Sequence, residues 1–367
     1  MIIKSLELCD YRNYKDLHMH FHEGTNVLYG DNAQGKTNVL ESIYVCATTK
    51  SHRGSKDREL IRFSKDEAHI RMFVEKYGID HKIDIHLKKN KSKGVAIDGI
   101  PIKKSSELMG MINVVFFSPE DLAIIKNGPS ERRHFIDMEL CQLNKVYLHD
   151  AANYNRIISQ RNNLLKQVHY DESLKDLIDV WDEQLVHYGI RIIQERERFI
   201  SRLNELIIPI HQKLSGRKEN LKIVYEPNVV GEEFAEQLLR RRYHDLKSKS
   251  TTVGPHRDDM GFYIDDMNVR QYGSQGQQRT AALSLKLAEI DLVKQFIKDT
   301  PILLLDDVLS ELDSFRQNYL LESIREIQTV ITCTGLDEFI NSQFNIDRIF
   351  KVNNGSIENQ QQEVKDE

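Results

Sequence analysis

The sequence predicts an α/β fold in which a mixed sheet and an antiparallel meander form one region, with an α-helical lobe inserted between its two halves. Apolar residues alternate with polar ones, or run together in short stretches, up to residue 118 and again after residue 251, which is the pattern of strands. From about residue 129 to residue 242 they instead recur at helical spacing. We therefore expect a split head of residues 1–118 and 251–367 and an α-helical insert over 119–250.

The first half is predicted to contain several strands and one helix. Residues 25–29 form a short apolar strand, and the segment 37–47 after a glycine-containing loop has a helical pattern. Asp98-Gly99 predicts a tight turn, because glycine adopts positive φ angles at little cost. Further strands are predicted at 69–74, 82–87, 94–97 and 113–117.

The second half is predicted to alternate helices with strands. We expect helices over 277–298 and 315–324, and strands over 301–306 and 329–332. Inside the insert, Pro209 and Ser215-Gly216 predict breaks, since proline lacks the amide hydrogen that a helix interior uses. The polar tail after Gly355 is expected to fray.

Composition excludes several classes of protein. The 367 residues are 40% hydrophobic and 29% charged, which suits one or two folded domains and not a disordered chain. No apolar run approaches the roughly 20 residues of a membrane span, and the N-terminus lacks a signal-peptide pattern. The four cysteines are scattered, so we expect reduced thiols and a cytoplasmic protein. With a net charge of −5, any nucleic acid would be bound by local basic patches.

The strongest motif lies between the strand at 25–29 and the helix at 37–47. The pattern G-x-x-x-x-G-K-[ST] of a phosphate loop is matched by Gly30-Asp31-Asn32-Ala33-Gln34-Gly35-Lys36-Thr37. Backbone amides at a helix N-terminus would cradle phosphates, Lys36 would reach the β- and γ-phosphates, and Thr37 would bind Mg²⁺. We expect ATP and Mg²⁺ at this loop. The competing interpretation is a glycine turn ahead of a helix.

An acidic pair ends the strand at 301–306. Ligands bind at the carboxyl ends of parallel strands, so Asp306 would hold Mg²⁺, directly or through water, and Asp307 would orient an attacking water. Alone, this pair is equally well a solvated turn. The long segment from Lys36 to Asp306 excludes small GTPases and nucleotide kinases, and it is typical of ABC-type ATPases, above all the SMC-like branch.

A third motif opens the helix that leads to this strand. Ser274-Gln275-Gly276-Gln277 resembles the ABC signature motif, in which a serine hydroxyl and glycine amides form a second anion site. In that superfamily the site contacts the γ-phosphate bound to the other subunit, so Ser274, Gly276 and Gln277 are predicted to bind ATP in trans. The competing interpretation is a helix cap.

Residues 308–313, after the acidic pair, resemble an ABC D-loop, and Ser310 and Asp313 are its candidate site residues. A capped helix start is the other interpretation of these two residues. ABC proteins usually carry a switch histidine after the next strand, but this chain has Thr332-Cys333-Thr334. Threonine can hydrogen-bond a γ-phosphate but cannot act as a base, so we expect at most a weak ATPase.

Taken together, the motifs resemble the RecF family of bacterial recombination-mediator ATPases over nearly the whole chain. The stretches that carry the resemblance, besides those above, are Asp10-Tyr11-Arg12-Asn13-Tyr14, Ser51-His52-Arg53, residues 117–122, residues 128–137 and residues 253–259. The resemblance implies ATP-dependent head-to-head dimerisation, binding of gapped or junction DNA, and cooperation with RecR and RecO in loading RecA, which supports the SOS response. It also places Arg12 among the ATP-binding residues.

Basic clusters are the candidates for DNA contact. A solvated, solubility-promoting face is the competing interpretation of each cluster. The candidates are Lys50, Arg53 and Lys56, the run Lys88, Lys89, Lys91 and Lys93, and Arg240-Arg241-Arg242.

Two other kinds of ATPase share the same motifs. An SMC-like chromosome organiser would need a longer insert to build an arm with a distal hinge. The ATPase subunit of a membrane transporter is disfavoured by the large helical insert and by the missing switch histidine.

Overall fold

The computed structural model describes residues 1–336 and 345–360, and the chain divides into two compact units. The first unit combines residues 1–121 with the part of the chain from Glu289 onward, and the second is Leu122–Ala288. The predicted α/β class, an ATPase head with a mixed sheet, an antiparallel meander and a helical lobe, is confirmed. Among the described residues, none of the helices combines the length and apolarity that crossing a bilayer requires.

The first stretch of the first unit is mostly strand. Its elements are β1 (Ile2–Tyr11), β2 (Tyr14–His20), β3 (Thr25–Tyr29), α1 (Lys36–Thr48), α2 (Asp57–Leu60), β4 (Glu67–Lys76), β5 (Ile79–Lys88), β6 (Gly94–Ile97), β7 (Ile100–Pro101) and β8 (Val114–Phe117).

The second unit is mainly helical. Its elements are α3 (Leu122–Lys126), α4 (Pro129–Leu143), α5 (Lys145–Val168), α6 (Leu177–Leu214), β9 (Leu221–Glu226), α7 (Phe234–Ser248), β10 (Asp259–Ile264), β11 (Met267–Asn268), α8 (Val269–Tyr272) and the start of α9 (Gln275–Ile297).

The chain then completes the first unit. The described elements of this return are β12 (Ile302–Asp306), α10 (Ser314–Ser323), β13 (Thr329–Cys333), β14 (Arg348–Asn353) and β15 (Ser356–Gln360).

Two six-stranded sheets build the first unit. The antiparallel meander has the order β2-β1-β4-β5-β6-β7, and the other sheet has the order β15-β14-β3-β13-β12-β8, in which only β15 is antiparallel to its neighbour. In β4, buried Ala68, Ile70, Met72 and Val74 alternate with side chains on the outer face, as a half-buried strand requires. Helix α1 is buried on most of its surface because it contacts strands of both sheets.

The predicted turn at Asp98-Gly99 is confirmed. Ile97 pairs with Ile100 across it, and both turn residues have positive φ, 54° and 81°. Such angles suit the right-handed twist of a two-residue hairpin.

The predicted domain boundary differs from the structure. We expected residues 251–288 in the head, but they belong to the second unit because β10 pairs along its length with β9. The second unit is therefore not purely helical as we expected of the insert, but also contains a three-stranded sheet, β11-β10-β9. Because β9 and β10 are far apart in the sequence, no local sequence pattern predicts that they pair.

Two smaller predictions are also wrong. Helix α6 continues through Pro209 to Leu214, where its packed apolar face outweighs the lost hydrogen bond, and only Ser215-Gly216 ends it. The tail after Gly355 does not fray at once, because residues 356–360 pair with β14; residues 361–367 of that tail lie outside the described residues.

Candidate nucleotide-binding site

The predicted phosphate loop and acidic pair meet at one edge of the parallel sheet. Strands β3, β13 and β12 are adjacent and parallel, with Asp306 opposite Thr332 and Cys333 opposite Tyr29. Their carboxyl ends therefore lie side by side, and the loop begins directly after Tyr29. This edge is where an α/β sheet binds ligands.

The backbone of the loop depends on glycine at its first position. Gly30 has a φ of 149°, and a Cβ there would lie 2.4 Å from the carbonyl oxygen of Val352. Gly35, at the start of α1, has a φ of 116° and packs against the Asn13 amide, which a Cβ would meet at 2.5 Å. These glycines let the chain turn tightly into the N-terminus of α1, where helix amides favour a phosphate.

Lys36 lies inside the loop, as a phosphate-binding lysine should. Its Nζ donates to the carbonyl oxygens of Gly30, at 2.5 Å, and Asp31, at 2.8 Å. Burial lowers the pKa of Lys36, and the nearby carboxylates of Asp307 and Asp306 oppose that shift. The ammonium is thus positioned and partly desolvated, which strengthens its attraction for a phosphate.

Thr37 and Asp306, which we predict to bind Mg²⁺, are in direct contact. The Thr37 hydroxyl donates to Asp306 Oδ1 at 2.8 Å, and the Thr332 hydroxyl donates to the same oxygen at 2.7 Å. A hydroxyl and a carboxylate beside a phosphate loop are the hard oxygen ligands that Mg²⁺ prefers, so the donor set fits this ion. The sequence pattern marks Thr332 only as a replacement for the switch histidine and does not predict its bond to Asp306.

Asp307 has an unusual backbone. Its φ is 53°, and its amide donates to both the hydroxyl and the carbonyl oxygen of Thr332, at 3.1 and 3.3 Å. A left-handed conformation at a non-glycine residue costs free energy and is concentrated at functional sites. Thr332 therefore positions both members of the acidic pair.

A turn between β1 and β2 supports the loop from behind. Asn13 Nδ2 donates to the Gln34 carbonyl at 2.8 Å, and Asn13 Oδ1 accepts from Asn38 at 2.8 Å. The buried Tyr14 hydroxyl donates to the Gly35 carbonyl at 3.1 Å. These contacts hold the loop in shape; the signal was present in the motif at 10–14, where we had assigned a role to Arg12 alone.

Arg12 is held by a buried carboxylate. Its guanidinium donates to both oxygens of Glu41, each at 2.7 Å, and also to Ser55 and to the Glu59 carbonyl. Burial by itself would raise the pKa of Glu41, but bonds from Arg12 and Ser51 lower it below its usual value. The direct ATP contact of Arg12 remains a prediction, and its observed contacts join the turn between β1 and β2 to α1.

The signature-like motif lies in the second unit, where Ser274 precedes α9. The Gln277 amide donates to Ser274 Oγ at 3.2 Å, and the Gln277 side chain accepts from the Ser274 amide at 2.9 Å. This reciprocal pair is a capping box, so the helix-cap interpretation is confirmed. It does not exclude an anion site, because Ser274 and Gly276 are exposed at a helix N-terminus.

Of the two D-loop residues, Asp313 adopts the alternative role of a helix cap and Ser310 does not. Asp313 accepts from the Arg316 amide at 3.0 Å and caps α10, and the exposed Ser310 hydroxyl donates to the Asp307 carbonyl at 2.9 Å. Ser310 thus links this segment to the acidic pair, and the D-loop role stays a prediction.

Comparison with known proteins decides the family. The family described as RecF/RecN/SMC N terminal domain matches residues 2–358. The DNA replication and repair protein RecF of Lachnoclostridium phytofermentans is 64% identical over 98% of this chain and 99% of its own length. That of Lachnospira eligens is 60% identical over 98% of this chain and 100% of its own length.

This chain belongs to the RecF family. A solved structure of the recombination mediator protein RecF with ATP in the RecFOR pathway matches it with a TM-score of 0.92 at 36% identity, covering 98% of each chain. An Smc head bound to the C-winged helix domain of ScpA gives a TM-score of 0.59 at 16% identity, which shows a shared fold alone. The RecF resemblance drawn from the motifs is confirmed.

The basic candidates for DNA contact are not equivalent in this RecF-family chain. Lys93 is mostly buried and donates to the Thr49 carbonyl and to Asp57 at 2.9 Å, so its charge is used inside the first unit and we withdraw it as a DNA contact. Lys88 lies 3.9 Å from Glu67 and Lys89 lies 3.4 Å from Asp66. The exposed candidates are Lys50, Arg53, Lys56, Lys89, Lys91, Arg240 and Arg241.

The specific RecF-like stretches around residues 128–137 and 253–259 are structural within the second unit. Arg132 on α4 makes two bonds to Asp259, at 2.6 and 2.9 Å. Arg196 on α6 bonds Asp258 at 2.8 Å and Asp137 at 2.7 Å. These buried arginines fasten β10 and the residue before it to the helices.

Proposed function

We propose that this chain is an ATP-dependent DNA-binding protein of recombinational repair, in which ATP and Mg²⁺ join two copies on DNA. The observation that carries the proposal is the juxtaposition of Lys36, Thr37 and Asp306 at one strand edge, with Thr37 and Asp306 2.8 Å apart. The 36% identity to a RecF solved with ATP supports it.

Each site residue has a role that follows from its chemistry. Lys36 would neutralise the β- and γ-phosphates, and the loop amides at the start of α1 would bind their oxygens. Thr37 and Asp306 would hold Mg²⁺, which would offset phosphate charge. Asp307 would orient water for attack on the γ-phosphate.

Hydrolysis to ADP and phosphate should be slow and act as a release step. Thr332, which stands where a switch histidine is usual, donates its hydroxyl to Asp306 and is committed to positioning the acidic pair. A hydroxyl of this kind supplies neither a base nor a cation to the reaction.

The second half of the site would come from another copy. Ser274 and Gly276 of one protomer would bind the γ-phosphate held by Lys36 of its partner, so ATP would join the two heads. The resulting dimer would bind gapped or junction DNA through the exposed lysines and arginines, and would cooperate with RecR and RecO in loading RecA.

Light scattering with and without ATP and Mg²⁺ tests the dimer. We expect the wild-type chain to shift from monomer to dimer with ATP. Lys36→Ala should lose ATP binding and dimerisation together, whereas Ser274→Arg should bind ATP and stay monomeric. A wild-type chain that stays monomeric at saturating ATP would contradict the proposal that ATP joins two copies.

Two controls separate the trans contact from damage to α9. Ser274→Ala removes the cap without adding bulk, at a cost of about 1 kcal/mol. Ser201→Arg adds the same charge at an exposed position of α6 in the same unit, and it should dimerise like the wild type. Fluorescence anisotropy with gapped and duplex DNA at two salt concentrations then tests whether the protein binds DNA as proposed.

A further inference from the structure

The outer face of the meander sheet carries a row of metal-ligating side chains. Strand register places Asp16 opposite Cys9, Cys9 opposite His69, and His69 opposite His86. Residues directly opposite one another on paired strands share a face, and His69 and His86 each lie between two buried residues, so this row is on the face that looks away from the core. This row lies outside the nucleotide site.

Two histidines and a glutamate in this row converge. The rings of His69 and His86 stack with centroids 3.9 Å apart, and His86 Nε2 lies 2.7 Å from Glu67 Oε2. One ligand atom from each of Glu67, His69 and His86 can be chosen so that all lie within 4.8 Å of one another. Two imidazoles and a carboxylate are a ligand set that Zn²⁺ accepts in open sites.

The sheet fixes these ligands in place. Glu67 and His69 are two residues apart on β4, and His86 faces them from β5 through continuous antiparallel pairing. A site built on paired strands needs little reorganisation to close around an ion.

Two basic side chains, Lys88 and Arg71, lie near the cluster, and they differ in how far acidic partners neutralise them. Lys88 lies opposite Glu67, with its Nζ 3.9 Å from a Glu67 oxygen, and is the nearby cation that would oppose a bound metal. Arg71, the next outward residue on β4, is paired with Asp84 at 2.6 Å and with Glu7 at 3.2 Å. Its charge is therefore largely neutralised by its own partners.

The cluster borders an open groove of about 380 Å³ on the same face. His69 and His86 line it together with Cys9, whose exposed thiol is directly across from His69. Such a groove leaves space for a water or a thiolate in a remaining coordination position.

We propose that Glu67, His69 and His86 form a binding site for a divalent transition-metal ion of the Zn²⁺ class, open toward the groove beside Cys9. The site is independent of the nucleotide site and of the proposed function. A borderline-soft ion is expected because imidazole nitrogens select Zn²⁺, Co²⁺ or Ni²⁺ over Mg²⁺.

Calorimetric titration of the full-length, ATP-free chain with Zn²⁺ tests the site. We expect one ion per chain in the wild type. His69→Ala combined with His86→Ala should weaken Zn²⁺ binding by about tenfold or more. Loss of a group that only hydrogen-bonds a metal ligand already lowers metal affinity by about that factor. Glu67→Gln, which keeps a hydrogen-bond acceptor for His86 but removes the charge, should also weaken it.

The chain provides a matched control on the same face. His18 and His20, on β2, lie with Nε2 atoms 2.9 Å apart, and His18 is 3.4 Å from Glu7. The double variant His18→Ala, His20→Ala should keep the wild-type affinity. Loss of binding in this variant but not in the His69, His86 variant would overturn the assignment, as would absence of Zn²⁺ binding by the wild type.

Two further measurements sharpen the result. Lys88→Gln should tighten binding by about two- to fivefold, because it removes a half-buried like charge near the ion. Titration with Co²⁺ reports coordination by its visible absorption, and binding that depends on Cys9 alone and survives the loss of both histidines would overturn the proposal. Fluorescent-ATP binding serves as a folding control and should be equal in all variants.

Discussion

At the scale of single residues, the phosphate loop depends on side chains outside its own motif. Asn13 satisfies the Gln34 carbonyl and is itself fixed by Asn38, while Thr332 fixes Asp306. Hydrogen bonds that hold a loop in its binding shape remove part of the ordering cost of binding. Residues of this kind should change affinity without touching ATP.

Asn13→Ala tests this support. We expect ATP affinity to fall by about five- to tenfold, which corresponds to about 1 kcal/mol for the lost loop contacts. Asn90→Ala, at an exposed position between β5 and β6, is the matched control and should bind ATP normally. Equal affinities of the two variants would show that Asn13 does not hold the loop.

The histidine of the 253–259 stretch predicts a pH effect. Burial lowers the pKa of His256 from 6.5 to about 4, although its bond to the Thr251 carbonyl opposes that shift. Between these pH values the unfolded chain binds a proton that the folded chain does not, so the free energy of unfolding falls as the pH falls. Linkage limits this contribution to about 3 kcal/mol.

His256→Gln should therefore flatten the pH dependence of stability. Urea unfolding near pH 7 and near pH 5 should show a smaller loss for the variant than for the wild type. The exposed His187, replaced in the same way, is the control. A variant with the wild-type slope would refute the assignment of this proton.

At the scale of elements, the neighbouring strand β14 determines which residue can begin the loop between β3 and α1. β14 lies beside β3, and its Val352 carbonyl approaches Gly30 so closely that a side chain has no space. Gly78 offers a comparison, because it has a φ of 73° but no described atom lies within 4 Å of the place that a Cβ would take. The two glycines differ in whether an atom blocks the Cβ position and also in how far their φ angles, 149° and 73°, depart from those that other residues adopt.

Gly30→Ala should therefore cost more than Gly78→Ala. We expect Gly78→Ala to lower the free energy of unfolding by about 1 kcal/mol and to leave ATP affinity unchanged. Gly30→Ala adds a steric clash, and should lose at least about 2 kcal/mol and most of the ATP affinity. Chemical unfolding and ATP titration measure both; similar losses would mean that the contact with Val352 relaxes easily.

At the scale of the whole molecule, the proposed cycle of dimer formation and release depends on Asp307. Asparagine tolerates the left-handed conformation found at this position, so Asp307→Asn removes the charge while sparing the backbone. The variant should bind ATP and dimerise but hydrolyse ATP about 100-fold more slowly or worse.

Phosphate release and light scattering on the same sample measure this outcome. The variant should remain a dimer after the wild type has returned to monomer, and Glu322→Gln, at an exposed position on α10 outside the D-loop-like segment, should behave as the wild type. Equal turnover in the Asp307 variant and the wild type would contradict the role assigned to this carboxylate.

The sequence by itself determined the fold class, the phosphate loop, and the pairing of Thr37 with Asp306. These features are written in local patterns: an apolar strand, a glycine loop, a helix start, and a buried strand that ends in acids. Because the carboxyl ends of parallel strands lie at one edge of a sheet, these local patterns are enough to predict that the loop and the acidic pair meet.

Only the tertiary structure decided the boundary at residue 288, the pairing of Arg12 with Glu41, the burial of Lys93, and the meeting of His69 with His86 and Glu67. Each depends on which strands pair and in what register, and a shift of one residue would turn a side chain to the opposite face. Such pairing is set by packing between distant segments, and no local spacing in the chain specifies it.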